Sequence, residues 1–249
     1  MQALRWRVLG NFPRHFCVLP HAVGRMSNVL RLTYPDWQAD RCHALARFLG
    51  LRDLPRTTLQ AENTLPPSWD RYDWPEIASR TIGAGRDLAY LNWRYTEHPC
   101  FDYRFLAVPE GQRTGLAVWR LETIRMATDR GFEEVDSIGR LVEFLPVSRD
   151  NSKQLLSVFL QELQKADVLG ADYYGYYGET RTWLRECGLR EVEAHPDGQA
   201  IPTRFQPLDG KSGTILNALC ARNQVPICSV GSNCLWYWTK SDGDQDRPN

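Results

Sequence analysis

The stretch from Gly139 to Gly178 constrains the fold more than any other part of the chain. GRLVEFLPV (139–147) has the apolar density of a buried strand. SRDNSKQLLSVFLQELQKADVLG (148–170) carries Leu155, Leu156, Phe159, Leu160 and Leu163, which step by three and four and so form one helical stripe. Ser148, Asp150 or Asn151 can cap its start, and Gly170 is the expected stop. ADYYGYYG (171–178) reads as a strand again. Two strands joined by one long helix are a crossover unit, because a tight turn can only return the chain antiparallel. Residues 139–147 and 171–177 are therefore expected to be parallel neighbours.

The flanking pattern fixes the rest of the class. YRFLAV (103–108) and GLAVWRLETIRMA (115–127) surround the turn signal PEGQRTG, which predicts an antiparallel hairpin. RDLAYLNWRYTEH (86–98) reads as a helix stopped by Pro99, with Tyr90 and Trp93 three apart and expected to face the sheet. ETRTWLRECG predicts a short helix ended by Gly188, and LREVEAH, AIPTRFQ and NCLWYWTK are further strand candidates. The fold class that follows is α/β (α+β), a mixed, mostly antiparallel sheet flanked by helices. Residues 1–60 read as an accessory N-terminal segment. RWRVLG and HFCVLP are marginal strands there, and DWQADRCHALARFLG is a helix with Asp36 as cap and Gly50 as stop. Residues 61–249 then form the main domain, with SDGDQDRPN as a polar tail.

Composition excludes several classes. The 30 Lys and Arg balance the 30 Asp and Glu, so no basic excess points to nucleic acid. No apolar run approaches the ~18 residues of a membrane span, and MQALRWRVLGNFPRHF lacks the unbroken apolar stretch of a signal peptide. A cytoplasmic protein is expected. Seven Cys, an odd number without C-x-x-C spacing, read as reduced and mostly buried, and no metal site is expected. Asp242, Asp244 and Asp246 alternate but lack the glycine and terminal Glu of a calcium loop, so they read as tail.

Two sequence features resemble one known group. Arg86, Asp87, Tyr90, Leu91, Trp93, Arg94, Tyr95, His98, Pro99 and Tyr103 spell R-D-x-x-Y-L-x-W-R-Y-x-x-H-P-x-x-x-Y. Trp236, Tyr237, Trp238 and Thr239 form an aromatic strand before an Asp-rich tail. Together with the element order, these resemble the acyl-CoA N-acyltransferase (GNAT) fold, in the branch found in bacterial polysaccharide and capsule gene clusters. The resemblance implies a meander of 103–108, 115–124 and 139–147, a cofactor helix at 151–167 and a strand at 171–177 that splays from its neighbour. It implies acetyl-CoA or another acyl-CoA as cosubstrate, with a small amine or amino sugar as acceptor. Glu143 would accept the amine proton and Tyr177 would protonate the leaving thiolate. Val147, Ser148, Arg149, Asn151 and Ser152 would hold the pyrophosphate, and Arg94 and Tyr173 would contact substrate.

Two departures motivate a second reading. The loop PVSRDNSK lacks the glycines of the pyrophosphate motif, and Leu184 stands where such enzymes often place a catalytic Tyr. RTIGAGRD (80–87) matches R-x-x-G-x-G but precedes the meander, where a turn into the helix is the simpler role. Cys187 sits at a helix C-terminus, a position that disfavours a thiolate, and nothing brings it to His195. The alternative is a non-catalytic GNAT-like module that binds a protein partner or a saccharide. The geometric test between the two is whether the splay between Phe144–Val147 and Tyr174–Tyr177 opens a pocket or is filled by tyrosines.

Overall fold

The computed structural model describes residues 7–11, 13–59, 61–177, 180–210, 216–219 and 236–242. In chain order the elements are β1 (Arg7–Asn11), β2 (Arg14–Val18), α1 (Val23–Thr33), α2 (Ala39–Leu49), α3 (Trp69–Tyr72), α4 (Trp74–Arg80) and α5 (Leu88–Leu91), which runs into a π-helical turn, Asn92–Thr96. Then come β3 (Arg104–Glu110), β4 (Arg113–Thr128), β5 (Gly131–Leu145), α6 (Arg149–Lys165), β6 (Gly170–Tyr177), α7 (Thr180–Glu186), β7 (Arg190–Glu191), β8 (Leu216–Leu219) and β9 (Tyr237–Thr239). The main sheet runs β3-β4-β5-β6-β2-β7, with β9 paired to β6, while β1 and β8 form a separate ribbon. The sheet is open, mixed and mostly antiparallel: β5–β6 is its parallel ladder. No helix among the described residues is long and apolar enough to cross a membrane.

The crossover unit forms as its sequence dictates. β5 and β6 are parallel neighbours joined by α6, in the register Gly139↔Ala171, Arg140↔Asp172 and Leu141↔Tyr173. α6 buries Leu155, Leu156, Phe159, Leu160 and Leu163 against the sheet. Burial of each such side chain contributes about 1.5–3 kcal/mol. Close approach is possible because Gly139 has no Cβ; one there would collide with Leu163. Gly170 does not end the helix. α6 stops at Lys165, Asp167 takes a positive φ, and Gly170 opens β6, where its bare Cα lets the carbonyl of Cys17 approach. Gly188 follows α7 with φ +92 and closes it in the Schellman manner, with Leu189 N donating to the Leu184 carbonyl (3.0 Å).

Several elements differ from the sequence reading. Residues 14–49 are not accessory. β2 lies between β6 and β7, every residue of it is buried, and α1 and α2 close over the same core. A strand paired on both edges and covered on both faces loses the alternation that would have marked it. α1 was not anticipated, and α2 starts after Gln38 rather than at a side-chain cap from Asp36. AIPTRFQ is no strand: it forms a hook in which Phe205 bridges Leu208 and bonds Arg125. LREVEAH keeps two strand residues before a tight helical turn.

Trp93 is the clearest correction. It is 65% exposed, while Leu91 and Tyr95 face the sheet. The backbone widens after Leu91, with Glu97 N donating to the Asn92 carbonyl, five residues back (2.9 Å). Leu91 and Tyr95, four apart, share the face that meets the sheet, and Trp93 between them points away from it.

Candidate functional site

Glu143 is fully buried. Its orientation comes from a bulge. β4 and β5 pair as Trp119↔Leu141 and Val118↔Glu143, which leaves Val142 as an extra residue. Leu141 and Phe144 pack in the core on the α6 side, while Val142 and Leu145 belong to a second core with Leu116, Val118, Tyr95 and Tyr237. Glu143 pairs with Val118 and joins this second side.

Four donors converge on its carboxylate. Arg86 Nε donates to Oε1 (3.0 Å), Ser241 Oγ donates to Oε1 (3.0 Å), and the phenols of Tyr95 and Tyr237 donate to Oε1 and Oε2. Arg86 also donates to Asp242 (2.6 Å) and to the Ala84 carbonyl (2.9 Å). Burial raises the pKa of Glu143, against the pull of Arg86 and the phenols. Burial and the negative charge of Glu143 hold both phenols well above the usual tyrosine range. A carboxylate whose lone pairs already accept from four donors and which meets no solvent has no free face for an incoming amine.

The splay between β5 and β6 is real. Their ladder covers three residue pairs, after which β6 continues and takes β9 as its neighbour at Gly175–Tyr177. Tyr237 of β9 reaches to Glu143 of β5, so the last strand bridges the diverging pair. On its other side Tyr237 N donates to the Ile82 carbonyl (3.0 Å), and a Cβ on Gly83 would collide with the Tyr237 carbonyl. Gly83 of RTIGAGRD thus serves close packing on β9, whereas a Cβ on Gly85 would meet nothing within 4 Å. Tyr173 is buried, stands edge-on to Phe144 (6.3 Å between centroids) and lies against Gly175, where a Cβ would strike its ring. Tyrosine rings therefore occupy the space between the strands.

The N-terminus of α6 is capped from within. Ser148 Oγ accepts from Asn151 N (3.0 Å) and donates to Glu110 (2.7 Å). Asn151 Oδ1 accepts from Val147 N (3.2 Å), and its Nδ2 donates to the Val108 carbonyl (2.9 Å). Ser152 Oγ donates to the Arg149 carbonyl (2.6 Å). Arg149 turns outward to a two-pronged pair with Glu186 (2.8 and 2.6 Å). The N–H groups of Val147 and Asn151 are taken by side chains of the turn itself, and the Glu110 carboxylate, which disfavours an anion, stands beside the cap.

Arg94 lies near the cluster, its Nη2 3.4 Å from the Ser241 carbonyl. The side chain of Tyr177 lies outside the described residues. Leu184 is buried core. Asp242 is docked on Arg86 and accepts from Thr239 N (2.9 Å), whereas Asp244 and Asp246 fall outside the described residues. Among the described residues no group of His, Cys, Asp and Glu is placed to hold a metal.

Sequence reasoning singled out Glu143 and Arg94 but not their partners Arg86, Tyr95, Tyr237 and Ser241. The missed signal was present: Arg86 and Tyr95 belong to the quoted motif and Tyr237 to the aromatic strand. A second buried cluster was not anticipated. Arg14 on β2 donates to Asp172 on β6 (2.9 and 3.2 Å) and to the carbonyls of Ile201 and Pro202, and Arg140 joins Asp172 to Glu122. Compared with protein-family models, curated proteins and solved structures, the chain matches none of them.

Proposed function

We propose that this chain is a GNAT-like module that binds rather than an acyltransferase that turns over. The observation that carries this reading is the bridge made by β9, whose Tyr237 donates to Glu143, the residue that the resemblance casts as the base. The element order, the bulge in β5 and the short parallel ladder support the GNAT-like assignment. The residues present do not fit an acyl-CoA. Tyr173 and Tyr237 pack between the diverging strands, and Ser148 and Asn151 take two N–H groups at the start of α6 beside the Glu110 carboxylate. The function that remains is recognition by a rigid surface on a polar-locked core.

The test is titration with acetyl-CoA followed by calorimetry, together with a thiol assay for CoA release in the presence of glucosamine. The expected result is no amine-dependent CoA release above the rate of free solution at any acetyl-CoA concentration, whether or not acetyl-CoA binds elsewhere on the chain. Amine-dependent release that saturates in acetyl-CoA would overturn the reading and restore the transferase.

A further inference from the structure

A cleft of about 1050 Å³ lies away from the β5–β6 splay, between the loop that follows α2, the outer face of α6, the end of α7 and β7. Its floor is apolar and firmly held. Leu51 is buried and its N–H donates to the Val18 carbonyl (2.9 Å), so the loop is pinned to β2. Gln161 on α6 donates to the carbonyls of Pro55 and Thr57 (both 3.2 Å), pinning the other end. Gly188 has no Cβ where Leu51 presses against it.

The rim is electropositive for a specific reason. Arg52, Arg185, Arg190 and Lys153 line the cleft together with three carboxylates, Asp53, Glu186 and Glu191. Two of those carboxylates are held by arginines outside the lining: Glu186 by Arg149 and Glu191 by Arg181, each through two bonds. Lys153 has only a 3.6 Å contact with exposed Asp150. Among the described residues Arg52, Arg185 and Arg190 make no ion pair, and Arg190 lies over the ring of Phe48 (4.9 Å). Three arginines from three different elements thus line one concave space, in which Asp53 is the lining carboxylate that, among the described residues, no arginine outside the cleft holds. A guanidinium offers a planar fork of donors that matches phosphate oxygens two at a time. A single carboxylate could engage one such fork; three call for a multiply charged anion. The apolar floor calls for a body that gains by leaving water.

We propose that this cleft binds an organic phosphate, with its phosphate groups held by Arg52, Arg185 and Arg190 and its apolar or aromatic body against the half-buried Leu54 and Phe48. The proposal deepens the binding-module reading by naming a ligand class, and the two fail separately. Acyl transfer would overturn the module reading and leave the cleft test intact.

The experiment uses the full chain and three probes: ADP, inorganic pyrophosphate and adenosine. Calorimetry is expected to show ADP binding that weakens steeply with salt, pyrophosphate binding more weakly, and adenosine at least roughly tenfold weaker than ADP, since it lacks the charge-assisted bonds. Arg52→Ala, Arg185→Ala and Arg190→Ala each remove an exposed side chain, and each is expected to weaken ADP by roughly tenfold or more. A second readout is local. Cys187 lines the cleft and is half-buried, whereas Cys100 is exposed. Saturating ADP is expected to slow alkylation of Cys187 by iodoacetamide and leave Cys100 unchanged, as read by peptide mass. Equal affinity for ADP and adenosine, unchanged affinity in all three arginine variants, or no protection of Cys187 would each overturn the proposal.

Discussion

The phenol of Tyr237 donates its hydrogen bond to Glu143, 94 positions earlier in the chain, and so ties the last described strand to the middle of β5. Both residues are buried, and Arg86 completes the contact from the loop before α5. The C-terminal strand is therefore a structural member of the core rather than an appendage.

Breaking this cluster on one side leaves a charge without its partner. Arg86→Ala or Glu143→Ala is expected to destabilise the protein by about 3–5 kcal/mol, the usual cost of an orphaned buried ion. Tyr237→Phe removes one hydrogen bond to a charged group and is expected to cost about 1.5–3 kcal/mol. Urea unfolding with a double-mutant cycle between Tyr237 and Glu143 checks both. Additive losses would show that the two side chains do not interact in solution.

The buried pair Leu91 and Tyr95 makes a prediction of register. Trp93→Ala is expected to change stability by less than about 0.5 kcal/mol because the ring is exposed. Leu91→Ala, two residues earlier but fully buried, should cost about 2–5 kcal/mol. Thermal or urea unfolding of the two variants decides which side of the helix meets the sheet, and a large loss at Trp93 would rotate it back.

Two glycines separate backbone freedom from close packing. Gly24 is exposed in α1, and a Cβ there would meet nothing within 4 Å. Gly24→Ala should stabilise by about 0.4–1 kcal/mol by restricting the unfolded chain. Gly170→Ala places a methyl group against the Cys17 carbonyl and should force β6 and β2 apart. Its expected effect is a loss of about 1–3 kcal/mol, as for overpacking elsewhere. Denaturation midpoints of the two variants should move in opposite directions.

His15 gives the stability a pH slope. It is buried between Tyr173 and Glu191, and burial pulls its pKa down to about 4, with Arg181 and Arg185 adding to the effect and Glu191 opposing it. The unfolded chain, near the ordinary 6.5, then binds a proton that the folded chain refuses. This contribution is present above pH 6.5 and is lost as pH falls toward 4, by about 3 kcal/mol at most. Urea unfolding at pH 7 and pH 5 should show a smaller difference in His15→Phe than in the wild type. Equal differences would place the titration elsewhere.

The crossover unit, the hairpin before it and the helical stripe of α6 were all legible in local residue order. In each case apolar periodicity within one segment encodes which face is buried, and that information is local. The fate of Glu143 was only half legible. Its apolar neighbours announced burial, but the bulge at Val142 that sets its side, and the four donors that meet it, come from segments up to 98 residues away. For Trp93 the sequence offers two apolar pairs at helical spacing, 90 and 93 or 91 and 95, and residue type does not choose between them; packing on the sheet does. β2 was misread as marginal because a strand covered on both faces carries no alternation. What stands between β5 and β6 was not legible in this way, because long-range packing sets it. The splay follows from the bulge, but filling it with Tyr173 and Tyr237 depends on where the end of the chain docks, and non-local hydrogen bonds and packing fix that.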